Sequence, residues 1–197
     1  MRETSSPLSA AGQEACALAA LGALVFPGKA DKTPLTEHGH LDATNDRAII
    51  IAMWTRWPFA EICIRPTNSF IVLDVDVDPL NNGFKHFLEL EGRDVFSLNT
   101  PLATTLRGGV HAYLKVRGLA GFKNTADIGG YNLDVRTSEG YVVAPSPGSG
   151  RRWINPPTGP WENAFEWILR ETYRGKTRET SDQSRENAHF TAEWLPP

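Results

Sequence analysis

Apolar and polar positions alternate most cleanly over residues 70–78. There Ile71, Leu73, Val75 and Val77 fall on one side of an extended chain. Phe70, Val72, Asp74, Asp76 and Asp78 fall on the other, a face that begins apolar and turns acidic. Upstream, Ser6-Pro7 marks a helix start, Ala11, Ala15, Leu18 and Leu21 share one helical face, and Gly22 ends it. A strand over 23–26 stopped by Pro27 follows, then a polar loop over 28–40. Thr44 is placed to cap a second helix reaching Trp57, with Ile50, Met53, Trp54 and Trp57 as its core face and Pro58 as its stop. Asp46 suits the positive end of that helix dipole. Residues 62–65 read as a short strand, and Phe84, Phe87 and Leu88 as a short helix.

Further on, strands are expected over 102–106, 110–116, 132–136 and 141–144, divided by glycines. An amphipathic helix over 162–174 carries Phe165, Trp167 and Ile168. This order predicts an α+β protein with helices on antiparallel sheet. Residues 1–175 read as the folded domain and 176–197 as a polar tail or linker.

Composition changes this picture little. The chain has 197 residues, 41% hydrophobic and 22% charged, which is enough for a real core. Its 20 Lys and Arg against 23 Asp and Glu leave a net charge of −3, so no overall basic field advertises nucleic acid. A local basic groove remains compatible with that total. Cys16 and Cys63 lie in apolar runs and read as buried free thiols in a reducing compartment. No Cys/His cluster suggests zinc. The apolar stretch 15–26 lacks a basic leader and is too short to span a bilayer, so a cytoplasmic protein is expected.

Three segments carry candidate chemistry. Three carboxylates in a row repel, and divalent cations with a taste for oxygen would relieve them. The alternative is a solvated face on an edge strand. In Gly108-Gly109-Val110-His111-Ala112-Tyr113-Leu114-Lys115, His111, Tyr113 and Lys115 share a face able to meet phosphate oxygens, or else form an ordinary amphipathic edge. In Leu133-Asp134-Val135-Arg136, Asp134 and Arg136 share a face, and a surface ion pair is the plain reading.

Taken in order, these segments resemble the bifunctional primase–polymerase domains of plasmid and phage replication proteins, within the archaeo-eukaryotic primase superfamily. The similarity also covers Lys32-Thr33-Pro34, Ala43-Thr44-Asn45-Asp46, Trp54-Thr55-Arg56-Trp57-Pro58 and Gly140-Tyr141-Val142-Val143-Ala144-Pro145, so it runs over roughly residues 25–155. The resemblance implies an α/β module fused to a catalytic module like an RNA-recognition motif. It implies that Asp74, Asp76 and Asp134 bind two Mg²⁺ or Mn²⁺ ions, and that His111 meets the phosphates of the incoming nucleotide. Lys32, Arg107, Lys115 and Arg136 are further candidate phosphate contacts, and Asp78 is expected just beyond the site. Expected partners are DNA template and primer, dNTPs or NTPs, and a C-terminal helicase or accessory domain. The chain departs from the family where Arg107 replaces a serine or threonine before the glycines, in the loop after Pro145, and in lacking cysteines for a zinc stem. Two rival functions are a metal-dependent nuclease or phosphatase using the same carboxylates, and a non-catalytic origin-binding module using Arg151-Arg152 and the basic stretch 170–178.

Overall fold

The computed structural model describes residues 7–86, 100–116, 123–158, 163–164 and 168. They form a mixed α+β structure with two antiparallel sheets. Along the chain come α1 (Ala10–Ala20), β1 (Leu24–Gly28), α2 (Arg47–Arg56), β2 (Glu61–Arg65) and β3 (Phe70–Val75). Then follow β4 (Leu102–Thr104), β5 (Val110–Lys115), β6 (Leu133–Arg136), β7 (Val142–Val143) and β8 (Trp153–Asn155). One sheet has the order β1-β2-β7 and the other β6-β3-β5-β4-β8.

Local chemistry sets the helix ends, and it shifts two expected caps. The Ser9 hydroxyl accepts from Gly12 N at 3.2 Å, so α1 starts after Ser9 rather than at Ser6-Pro7. Ala11, Ala15, Leu18 and Ala19 are its buried stripe. Gly22, at φ +95°, turns the chain out of it. Asp46, not Thr44, caps α2: its Oδ1 accepts from Ala48 N at 2.8 Å and Ile49 N at 3.2 Å. Two amide donors and a negative charge at the helix start favour Asp46, while Thr44 Oγ1 accepts from Asp46 N one step earlier. Trp54 is fully buried, but Trp57 sits at the helix C-cap and is only half-buried, against the expectation that both are core.

The strands differ from expectation for topological reasons. β1 runs through Pro27 to Gly28, because it lies at the sheet edge, where a missing amide donor disrupts little. β3 and β5 are both interior strands, so neither is the solvated edge that their alternation alone allowed. Their odd and even faces are both covered. Ile71, Leu73 and Val75 pack with Ala112, Leu114, Leu133 and Val135, and Ala164 and Ile168 close that layer. Phe70, Val72 and Tyr113 pack on the other side with α1, α2 and the three-stranded sheet. The segment expected as strand 141–144 contracts to β7, which leaves its predecessor's sheet to pair with β2. β8, which was not anticipated, adds an outer strand beside β4.

Arg151 is not part of a basic surface: it is buried and its Nη1 meets Glu61 Oε2 at 2.6 Å. Cys63 is buried, with its thiol pushed up to about 12 by burial and the Glu61 charge, as suits an unreactive core cysteine. Cys16 is half-buried. Among the described residues no helix is long and apolar enough to cross a membrane. The expected helix 162–174 apart from Ala164 and Ile168, Phe87 and Leu88, and the tail 176–197 with the basic stretch 170–178 lie outside the described residues.

Trp54 joins α2 to the core shared by both sheets, and its Nε1 donates to Ala60 O at 3.4 Å. Trp54→Ala is expected to cost about 3–5 kcal/mol, read as a lower urea midpoint with little change in slope.

Candidate active site

Strand register assembles the site. Asp74 on β3 stands directly opposite His111 on β5 and directly opposite Asp134 on β6. Directly opposed residues project to the same face with Cβ atoms about 4.5–5.5 Å apart, so Asp134, Asp74 and His111 form one transverse row. The row lies where the even face of β3 leaves the core: Phe70 and Val72 are buried, while Asp74 is half-buried.

Within the row, His111 Nε2 lies 3.4 Å from Asp74 Oδ1. That is close enough for strong electrostatic coupling, but the geometry is not that of a formed hydrogen bond, and Asp74 Oδ1 stays buried without a partner. His111 Nδ1 is likewise buried and unpartnered. Burial pushes the Asp74 pKa up, but the His111 imidazole and the charges of Arg136 and Lys32 outweigh it and hold the carboxyl below its usual range. Asp76 shows the reverse. Burial and the Asp74 charge raise its pKa, Asp134 adds to this, and Arg107 and His111 offset it only in part. Of the two, Asp76 is therefore the carboxyl whose charge the surroundings leave unrelieved.

Asp76 follows the last β3 residue and is held by its backbone. Its N–H donates to Asn132 O at 3.1 Å and its carbonyl accepts from Gly83 N at 2.9 Å. A Cβ on Gly83 would lie 2.7 Å from both Asp76 O and Asn132 O, and one on Gly109 would lie 2.2 Å from Val75 O. The two glycines thus permit the backbone on either side to close against the strand end that carries Asp76. Asn132 adopts a left-handed φ of +58°, which asparagine tolerates, and its Nδ2 donates to Asn81 O at 3.0 Å. Asn81 Nδ2 in turn donates to Gly130 O at 3.2 Å. These bonds lace the loop after β3 to the loop before β6. Sequence reading missed this frame, although Asn81-Asn82-Gly83 is a turn signal. Asp78 caps the same turn, its Oδ1 accepting from Leu80 N and Asn81 N, both at 2.8 Å.

Asp134 is engaged on both oxygens: Oδ1 accepts from Asp127 N at 2.7 Å and Oδ2 from Arg136 Nη2 at 2.6 Å. Among the described residues no group of three His, Cys, Asp or Glu side chains has metal-binding spacing. The bonds to Asp127 and Arg136 account for this physically, because they direct Asp134 to its own strand and loop. Arg107 is exposed and near enough to Asp76 to pull its pKa down. Lys32, in a left-handed turn at φ +74°, acts on Asp74, and its carbonyl accepts from the Tyr141 hydroxyl at 2.9 Å. Lys115 stands apart. It pairs with Phe70 at the far end of β5, four residues and roughly 13 Å from His111.

The backbone clamp makes Gly109→Ala unfavourable, with an expected loss of about 1–3 kcal/mol in chemical denaturation. The raised Asp76 pKa has a signed consequence. A carboxyl raised by folding favours the folded state while protonated, and that contribution is lost as pH rises through the folded value. Asp76→Asn should therefore melt above wild type near neutral pH without divalent metal. The gap should close as pH falls below the usual carboxylate range. Equal melting temperatures at every pH would show that charge crowding at Asp76 does not burden the fold.

No curated protein matches the sequence. The family model for the bifunctional DNA primase/polymerase, N-terminal, matches residues 15–167, a span that holds both sheets and every residue of the carboxylate row. With that match covering most of the chain, the protein belongs to the bifunctional DNA primase/polymerase N-terminal domain family.

Proposed function

We propose that this domain extends a nucleic-acid strand on a DNA template, and that Asp74, Asp76 and Asp134 hold the divalent ions for the reaction. The family implies primase/polymerase activity, with DNA, nucleotides and divalent metal as its requirements. The observation that carries the residue assignment is the transverse row Asp134–Asp74–His111, extended along the chain by Asp76.

The donor set suits hard cations. Asp74 Oδ1 is buried without a hydrogen-bond partner, and Asp76 is destabilised by neighbouring negative charge. Both are conditions that Mg²⁺ or Mn²⁺ would relieve through oxygen ligation. When bound, two such ions would supply charge neutralisation at the triphosphate and a more acidic attacking hydroxyl. In the reaction the 3′-oxygen forms a bond to the α-phosphorus, the bond to the bridging oxygen breaks, and pyrophosphate leaves.

The chain's own residues do the positioning. His111 is held beside Asp74 with Nε2 towards the carboxylates and would donate to the triphosphate. Arg136, when it gives up Asp134, and Lys32 and Arg107 at the rim are the phosphate contacts we favour. Lys115 is left out because of its place on β5. The strand order β6-β3-β5-β4, antiparallel throughout, supports reading the five-stranded sheet as the catalytic module akin to an RNA-recognition motif. The other sheet with α1 and α2 would be the α/β module. Phage or plasmid replication in a bacterial cytoplasm, with a helicase or accessory domain as partner, is the setting we favour.

The test is incubation with Mg²⁺ or Mn²⁺, labelled dNTPs or NTPs and a template, with and without primer. Longer products support the polymerase, products without primer add priming, and shortened DNA alone would replace this reading with a nuclease. Asp74→Asn and Asp76→Asn should each lower incorporation by about 10²-fold or more while remaining folded. Retained activity in both would remove the carboxylate assignment.

A further inference from the structure

A cleft of about 590 Å³ opens at the C-terminal end of α2 and the adjoining ends of β1 and β2. Its walls include Lys29, Arg56, Trp57, Phe59, Glu61 and Ser149. Phe59 is 96% exposed, with its ring serving no part of the core. Beside it Trp57 is half-buried, and the Arg56 guanidinium sits 4.6 Å from its ring centroid. Aromatic faces interleaved with cations are thus presented together at one opening.

The cleft's charge favours an anion. Glu61 is the one acidic residue among its walls, and Arg151 meets that carboxylate at 2.6 Å; Lys29, which also interacts with Asp31 in the adjoining turn, and Arg56 are the remaining charges on the walls. Lys32 lies in the same turn as the wall residues Lys29 and Ala30. Lys32 is near enough to lower the pKa of both Glu61, on its wall, and Asp74, in the carboxylate row.

We propose that this cleft binds single-stranded DNA, the unpaired template. Phe59 and Trp57 are its stacking platforms, and Lys29 and Arg56 its phosphate contacts. Exposed rings select unpaired bases, because a duplex hides the faces of its bases in its own stack. They do so with little regard to sequence, because every base offers a π-face. The name template rests on the polymerase reading above, whereas the single-strand binding does not.

The experiment uses the full chain and a fluorescently labelled oligo-dT, followed by anisotropy without metal or nucleotide. Phe59→Ala, at an exposed position, should weaken binding about tenfold with no change in melting temperature, and Phe59→Trp should restore it. Lys29→Ala with Arg56→Ala should flatten the salt dependence of binding. Wild-type affinity in Phe59→Ala, or equal loss of a blunt duplex and oligo-dT, overturns the proposal. If oligo-dT binds and Phe59→Ala weakens it while no nucleotide is ever incorporated, the cleft stands and the polymerase reading falls.

Discussion

Everything at this site depends on the antiparallel register of three neighbouring strands. β3 is gripped on one side by β5 and on the other by β6, and in that register Asp74 faces His111 and Asp134 at once. A shift of one residue in either pairing would carry its partner to the opposite face, into the layer of Leu73, Val75 and Ala112. The apolar alternation of β3 is therefore what fixes the acidic geometry. Leu73 and Val75 are fully buried, and that burial holds the carboxylates in line at a position where their mutual repulsion opposes it.

The same strand changes character along its length. At Phe70 and Val72 its even face contributes to a core shared with α1, α2 and the three-stranded sheet. At Asp74 and Asp76 that face carries crowded negative charge, with one carboxyl held low by His111 and the other raised by burial and the Asp74 charge. Opposed shifts within one short segment show how sharply the surroundings change from one even position to the next. The Asn81–Asn132 lacing and the close approaches at Gly83 and Gly109 are the backbone framework that keeps these charges together.

Much of this was legible in the residues. Among the described residues, α1 and α2, the cores of seven of the eight strands and the face shared by Asp74 and Asp76 follow from apolar periodicity and turn residues. Cap choice was not legible to a single residue, because Ser9 and Asp46 compete with nearby Ser6 and Thr44 on similar terms. The burial of Arg151 was hidden because its partner Glu61 lies ninety positions away in sequence. The aromatic pair at the end of α2 was half visible: the sequence calls Trp57 apolar, but only its place at the helix end leaves it and Phe59 at a cleft.

By itself the sequence determined which residues can form strands and helices, and which positions bring carboxylates, an imidazole and glycines in a recognisable order. Those properties are local, set by side-chain alternation and backbone freedom. Tertiary structure decided which of these groups meet. It placed Asp134 and His111 on either side of Asp74 and turned Arg151 inward. The reason is that strand pairing and burial are long-range choices, governed by how whole faces exclude water, and no local pattern encodes the partner across the sheet.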